Sequence, residues 1–488
     1  MTAGHILKEL KFPARYEALV EEVGHGIANL LVPPAPSTRD AFQGVAVSVR
    51  GRLEGAFLPI FAPPGTGKTT LAHGLGKFLP ADYAETLVYS AAEVTFDGLN
   101  ELVAGAAAGG PANESRIRPV LIDDREGNLP SRAEYAAIKR FLRSALGGSR
   151  AVLVWPETDE SSARTMAREY QAMAGASAIP IPLQVDGPPM DSWQGIATAV
   201  LVVVNGVDDL PSLGVDPTML DPVQFRTIGD FMRRLSDDFN ALTLDILRST
   251  QRPLRLVVLF ASKTSDGGQL AHLTSSSRRG LLDAGALIDA TSESDEGRFW
   301  APRRGDLVHT IIQLDAHAFS LPPQVSMPAL RVHGRQETKQ LLNDAGMIST
   351  SADHARKALL RSDFGKFLRD VGGSTTEQRG TPATVSEAGF VALASAGFTG
   401  GRDKLHNKDL LGAWKAMFPA LGIPASNLKA ELGLGFIPLI PDNRFDIEDV
   451  TYCLEYTWRS GDYLATRSGA AGYLLAKLRQ YAIQLGIN

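Results

Sequence analysis

Ala62-Pro63-Pro64-Gly65-Thr66-Gly67-Lys68-Thr69-Thr70 is a glycine-punctuated turn that closes on Lys-Thr-Thr. Before it, Phe57 to Phe61 is an apolar run that reads as a buried strand. After it, Leu71, Leu75, Phe78 and Leu79 recur at helical spacing, so the turn joins a strand to a helix. Gly65 and Gly67 let the backbone turn its N–H groups inward, and the opening helix adds unpaired donors. With Pro64, Thr66 and Thr70, these residues form a candidate phosphate cradle. Lys68 can reach β- and γ-phosphates, and the Thr69 hydroxyl can ligate Mg²⁺. One position departs from the usual pattern: Ala62 stands where a first glycine is expected.

Outward from the turn, the chain alternates. Strands are expected near Thr86 to Tyr89, Val120 to Asp123, Ala151 to Trp155 and Ala178 to Leu183. Helices are expected at Phe96 to Ala107, Arg132 to Leu146 and about Ser161 to Ala174. Together with the Phe57 strand this makes a five-stranded parallel α/β sheet. Residues 1–44 read as a helical docking arm or leader, with Tyr16, Leu19, Val20, Val23 and Ile27 as its apolar stripe before the Pro33, Pro34, Pro36 break. Ala41 to Leu53 reads as an approach helix of the kind that packs near a nucleotide's base. Beyond the core (45–190), a helical lid is expected over 191–265, from helices at Asp191 to Val204 and Val223 to Leu247, together with a strand at Leu254 to Phe260. A mixed β region follows over 266–335, with a strand at Leu307 to Leu314, and then a helical C-terminal domain over 336–488. The latter is interrupted by the Gly/Ser/Thr/Pro stretch Gly372 to Thr384, and no repeat of fixed period is present.

Composition excludes several classes. At 488 residues with 44% hydrophobic content the chain can fill several cores, and a net charge of −5 argues against a basic nucleic-acid coat. A single cysteine, Cys453, rules out a disulfide framework. With no basic start leading into an apolar signal core, the expectation is a reducing, cytoplasmic setting. The most apolar window, Ile196 to Val204, is too short for a membrane span. The histidines lack zinc-site spacing, and Asp315 with His317 reads as a hydrogen-bonded pair on one strand face.

A phosphate cradle needs a metal anchor. Val120-Leu121-Ile122 ends in Asp123-Asp124, which places carboxylates at a strand's C-terminal edge. Asp123 would hold the Mg²⁺ shell, and Asp124, with Glu126 as the second choice, would orient or deprotonate the attacking water. The interval between Lys68 and Asp123 has room for a helix, a strand and a second helix, so the Asp strand is not the direct neighbour of the cradle strand. Asp124-Arg125-Glu126-Gly127 fits an Asp-x-x-Gly pattern, but no Asn-Lys-x-Asp follows to read guanine. Asn407-Lys408-Asp409 lies too far away, which leaves adenine.

These motifs resemble the AAA+ and STAND groups of P-loop ATPases over about Ala41 to Leu210. AAA+ members usually carry a glutamate after the metal aspartate. The Asp123-Asp124 pair and the Gly67 to Ala72 run look closer to STAND switches such as NB-ARC and NACHT proteins. The resemblance implies a P-loop α/β core with a helical lid, ATP and Mg²⁺ as ligands, and ATP hydrolysis coupled to conformational change and homo-oligomeric assembly on a protein or DNA partner. A STAND-like switch in bacterial anti-phage defence and a nucleotide-gated scaffold with little hydrolysis are the alternatives. It places the polar sensor at Glu157, Thr158 or Asp159, with Thr158 touching the γ-phosphate. It also requires an arginine in trans, from among Arg164, Arg168, Arg278, Arg279, Arg303 and Arg304, while Arg226, Arg233 and Arg234 of the lid can act in cis. Met417 to Leu432 reads as a helix-turn-helix with Gly422 at its turn, although Lys429 alone supplies charge on its second helix.

Overall fold

Strand β1 (Ala56–Phe61) is buried along its length because it lies inside a parallel sheet covered on both faces. The computed structural model describes residues 5–108, 116–145, 147–177, 179–250, 252–263, 268–375, 384–459 and 466–487. The strands after β1 are β2 (Leu87–Tyr89), β3 (Arg118–Ile122), β4 (Ala151–Glu157) and β5 (Leu183–Gln184), and the sheet order is β2-β3-β4-β1-β5. All pairings are parallel, with Phe57 opposite Leu153 and Leu121 opposite Val154. β4 lies between the cradle strand and the strand carrying Asp123, so those two are not direct neighbours, as expected.

Side-chain alternation splits this sheet's core in two. Leu58, Ile60, Val152 and Val154 pack with Phe42, Val45, Leu71 and Leu75 on one face. Phe57, Leu153 and Trp155 pack with Tyr135, Ile138 and Phe141 on the other. The helix Arg132–Leu142 starts where it does because Ser131 and Glu134 form a reciprocal capping box. The expected extension to Leu146 does not form, and Leu146 itself lies outside the described residues. At the N-terminal side the proline cluster ends the helix Tyr16–Leu31, and Pro36 opens the next one, Pro36–Arg52. Strand β5 is two residues long, shorter than expected, and Ala178 is outside the described residues.

Contacts divide the chain into two units. The P-loop unit comprises Phe12–Val204 and Pro217–Phe239; the second comprises residues up to Lys11, Asn205–Asp216 and Asn240 onward. The second unit has its own sheet of β6 (Leu254–Ser262), β7 (His317–Ser320), β8 (Ser426–Ala430), β9 (Asn443–Ile447) and β10 (Val450–Arg459), ordered β7-β6-β10-β9-β8. The pairs β7–β6 and β6–β10 are parallel, whereas β9 runs antiparallel to both β10 and β8. Its core includes Leu259, Phe319, Phe364, Trp414, Phe418 and Leu454. Asp315 and His317 are hydrogen-bonded as expected, at 2.8 Å, and Arg255 Nε donates to the other Asp315 oxygen at 2.6 Å. Burial acts to raise the Asp315 carboxyl, but Arg255 and His317 outweigh it and hold the group well below the usual carboxylate range.

Two expectations are overturned here. Leu307 to Leu314 is not a strand: Arg304–Gln313 is a helix, in which Leu307, Val308, Ile311 and Ile312 form a buried stripe at helical spacing. Met417 to Leu432 is not a helix-turn-helix. The helix Asp403–Ala420 stops before Gly422, whose φ of +70° and the following Pro424 break the helical path. Ser426–Ala430 then becomes β8, because β9 offers it a ladder. Within 372–384, residues 376–383 lie outside the described ones. None of the described helices is long and apolar enough to cross a membrane.

Candidate functional site: a glycine-lined phosphate cradle

The loop between β1 and the helix Lys68–Phe78 turns through Gly65 at φ +78° and Gly67 at φ +96°, a region that only glycine enters without strain. Gly67 sits at the helix N-cap, and Thr66 Oγ1 donates back to the Pro63 carbonyl at 2.8 Å, which tightens the turn. Lys68 is buried. Its Nζ donates to the Ala62 carbonyl at 2.9 Å and to Thr158 Oγ1 at 3.4 Å, and lies 3.5 Å from Glu126 Oε1. Thr158 Oγ1 donates to Glu126 Oε2 at 3.1 Å. The structure thus brings Lys68, Glu126 and Thr158 together. The carbonyl of Ala62, the residue in place of the usual first glycine, anchors the lysine from below.

Glu126 owes its position to two anchors. On one side Arg125 reaches the Ala92 carbonyl and the Glu134 carboxylate at 2.9 Å and lies over the Trp155 ring. On the other, both oxygens of Glu157 accept from the Gly127 amide, at 3.1 and 3.2 Å. Glu157 ends β4 and is 1% exposed. Burial pushes its carboxyl above the usual range, and nearby Glu126 adds to that, against the Gly127 amide. Glu134 shifts the other way: burial alone would raise it, but the Ser131 and Val94 amides and Arg125 hold it low.

Asp123 and Asp124 are placed differently. Asp123 is half-buried at the end of β3, its amide donating to the Tyr89 carbonyl at 3.1 Å. Asp124 is exposed, with φ +55°. Among the described residues neither carboxylate is bonded to Lys68, Thr69 or Thr158, so Glu126 rather than Asp124 is the carboxylate at the lysine.

A cavity of about 360 Å³ opens above the loop. Its floor includes Gly65, Lys68, Thr69, Thr70 and Glu126, and its opposite wall includes Tyr16, Ile196, Met232 and Arg233. Pro64 and Gly67 also line it, while Thr66 lies beneath, buried. The segment around Arg15 and Tyr16 lines the cavity, and the helix carrying Ala41 to Leu53 does not. The latter spends Phe42, Val45 and Val49 on the core. The lid touches the loop directly: the Gly229 amide, at the start of the helix Ile228–Ser249, donates to the Gly65 carbonyl at 2.9 Å. No spacing rule links Tyr16, Ile196 or Gly229 to the loop. Glu157 was visible as the last residue of an apolar strand, but its bond to Gly127 was not.

Of the arginines, Arg233 faces the cavity, Arg234 pairs with Asp238, and Arg226 is exposed. Arg278, Arg279 and Arg304 are committed to Glu9, Asp363 and Asp209 at 2.6 to 2.7 Å. Arg303 lies over the Phe299 ring, whereas Arg164 and Arg168 are exposed and, among the described residues, pair with neighbours on their own helix.

The cavity volume falls in the range of small-molecule sites. The glycine turn, the buried ammonium and the Thr69 hydroxyl suit a nucleotide triphosphate with Mg²⁺. That ion needs only one or two carboxylates besides phosphate and water, which fits a region where, among the described residues, no trio of His, Cys, Asp or Glu forms a metal cage. Sheet order, loop and lid together define a P-loop NTPase fold of the AAA+-like kind, with the added strand between cradle and acidic strands and a largely helical C-terminal region.

No family model matches the chain, and neither does any curated protein. Solved structures match distantly. A RuvB mutant from Thermotoga maritima is 16% identical over 47% of this chain and 74% of its own, with a TM-score of 0.23. Cdc6p from Pyrobaculum aerophilum is 10% identical over 78% and 95%, with a TM-score of 0.28. Aeropyrum pernix ORC2, in its ADP form, is 14% identical over 75% and 88%, with a TM-score of 0.30. The assignment of the fold rests on the sheet and the loop.

Proposed function

We propose that this chain is a Mg²⁺-dependent ATPase of AAA+ type that couples ATP binding and hydrolysis to conformational change and self-assembly, acting on a protein or DNA partner. The observation that carries this reading is the meeting of Lys68, Glu126 and Thr158, the first two lining a glycine-lined cavity. Lys68 neutralises the β- and γ-phosphates, while the main-chain N–H groups of Gly65 to Thr70 hold their oxygens. Thr69 and Asp123 supply the Mg²⁺ shell, and bound Mg²⁺ offsets charge on the transferring phosphoryl. Glu126 takes the proton of the attacking water, in preference to Asp124, and Thr158 reads the γ-phosphate. Arg233 acts from the lid, and Arg164 or Arg168 is left to act across a subunit boundary.

Two substitutions separate binding from chemistry. Lys68→Ala should abolish ATP binding by titration calorimetry. Glu126→Gln should retain binding while phosphate release falls about 100-fold or more, the scale of a lost general base. Wild-type turnover by Glu126→Gln would refute its role as base.

The bond from Gly229 to Gly65 favours a second reading, a STAND-like switch of bacterial defence, since a lid tied to the loop slows nucleotide release. Nucleotide retained through purification, with slow basal turnover, would support that version.

A further inference from the structure

The sheet of the second unit gathers charged side chains that the nucleotide site does not use. Asp442 immediately precedes β9. The β9–β10 ladder pairs Asn443 with Leu454, and one further step sets Asp442 opposite Glu455. Residues directly opposite share a face, and two like charges so placed destabilise a sheet. Asp442 Oδ2 accepts from the Tyr456 amide at 2.7 Å. Glu455 is 5% exposed and is held by Lys477 Nζ at 2.8 Å and by the Tyr481 hydroxyl, both from the helix Arg467–Leu485. Beside them, the Glu431 amide donates to the Asp442 carbonyl at 3.1 Å.

A second observation points to a missing ligand. Thr457 lies two residues beyond Glu455, on the same face of β10 and toward the same helix. It is 4% exposed, and its Oγ1 has no hydrogen-bond partner among the described residues. A buried hydroxyl without a partner destabilises the fold. One ammonium, Lys477, also answers only one of two facing carboxylates. A divalent cation would satisfy both: Mg²⁺ takes one or two carboxylates and leaves its remaining positions to water and substrate phosphate.

We propose that Asp442 and Glu455 hold a Mg²⁺ ion and, with Lys477, hydrolyse the phosphodiester backbone of a nucleic acid. Glu455 sits deep, while Lys477 and Glu431 keep side-chain exposures of 26% and 22%, so solvent reaches the rim of the site. A metal-held water gives its proton to solvent as its oxygen bonds phosphorus, and the bond from phosphorus to one ester oxygen breaks. The departing alkoxide takes a proton from a second metal-held water. One water is consumed, a phosphodiester becomes a phosphomonoester and an alcohol, and nothing is oxidised or reduced. Lys477 remains an ammonium beside Glu455 and stabilises charge on the phosphoryl oxygens.

The test uses the full chain without nucleotide, so that it does not depend on the ATPase reading. End-labelled single-stranded DNA, double-stranded DNA and RNA are each incubated with millimolar Mg²⁺, and Mn²⁺ binding is followed by electron paramagnetic resonance. The expected result is Mg²⁺-dependent cleavage of at least one polymer, which also identifies the source of the phosphodiester. Asp442→Asn should lower it at least 100-fold and remove the bound Mn²⁺. Glu455→Gln tests the second ligand. If it unfolds by circular dichroism, Asp442→Asn together with Thr457→Val, which should weaken Mn²⁺ binding severalfold, carries the decision. Absence of cleavage of all three polymers by the wild-type protein, or wild-type cleavage by Asp442→Asn, would overturn the proposal.

Discussion

Glu157 stands one residue before Thr158 and, in the proposed site, positions Glu126. Its carboxylate holds the Gly127 amide and thereby the turn that presents Glu126. Glu157→Gln keeps one acceptor for that amide, so turnover should fall less than tenfold. Glu157→Ala removes both acceptors of the Gly127 amide and should lower turnover more than tenfold. Equal activities in the two variants would remove Glu157 from the positioning role. The raised carboxyl adds a pH signature. An unfolded glutamate titrates near about 4.3. The folded group holds its proton to a higher pH, so between those two values the folded chain binds more protons. Stability therefore declines as pH climbs through that interval, and Glu157→Gln should flatten the decline in melts across the weakly acidic range.

At the scale of elements, the contact between the lid helix and the loop is glycine on glycine. A Cβ at Gly229 would stand 2.6 Å from the Gly65 Cα, backbone against which nothing flexible can yield. Gly229→Ala should therefore push the helix Ile228–Ser249 off the loop and weaken ATP binding by tenfold or more in a titration, with the P-loop sheet still folded. Unchanged affinity would mean that the lid does not set the cradle's shape. This contact also marks where sequence reading stops. The apolar runs of β1, β3 and β4 are legible because strands buried on both faces leave continuous hydrophobic stretches, and the glycine turn is legible because its chemistry is local. The pairing of Gly229 with Gly65 joins residues far apart in sequence, and no periodicity encodes it. For the same reason the sequence put Asp124 ahead of Glu126 as the carboxylate expected near the lysine. The difference between them comes from the Arg125 and Gly127 anchors, which depend on Glu134 and Glu157 in other elements. Leu307 to Leu314 and Ser426 to Ala430 were misread because short apolar or polar runs do not declare their period. The first found a helical packing face and the second found a ladder partner in β9.

For the whole molecule, the decisive fact is that hydrophobic burial is organised around two sheets with separate cores. The residues packed on the β2-β3-β4-β1-β5 sheet, from Phe42 to Trp155, belong to the P-loop unit, and the large cluster from Val257 to Trp458 belongs to the second. Apolar burial is the main source of cooperativity, so each core should melt as its own unit. The proposed site for ATP and Mg²⁺ is lined by residues of only one of them. At a ligand concentration about 100 times the dissociation constant, binding adds about 2.7 kcal/mol to whichever folded unit contains the site. Calorimetry should therefore resolve two transitions, of which nucleotide raises one and leaves the other in place, and Lys68→Ala should cancel that rise without moving the second peak. A single transition that shifts as a whole with ATP would mean that the two cores unfold together. Energy from the cradle would then reach the β6–β10 sheet, and nucleotide binding could regulate the Asp442 site through stability alone.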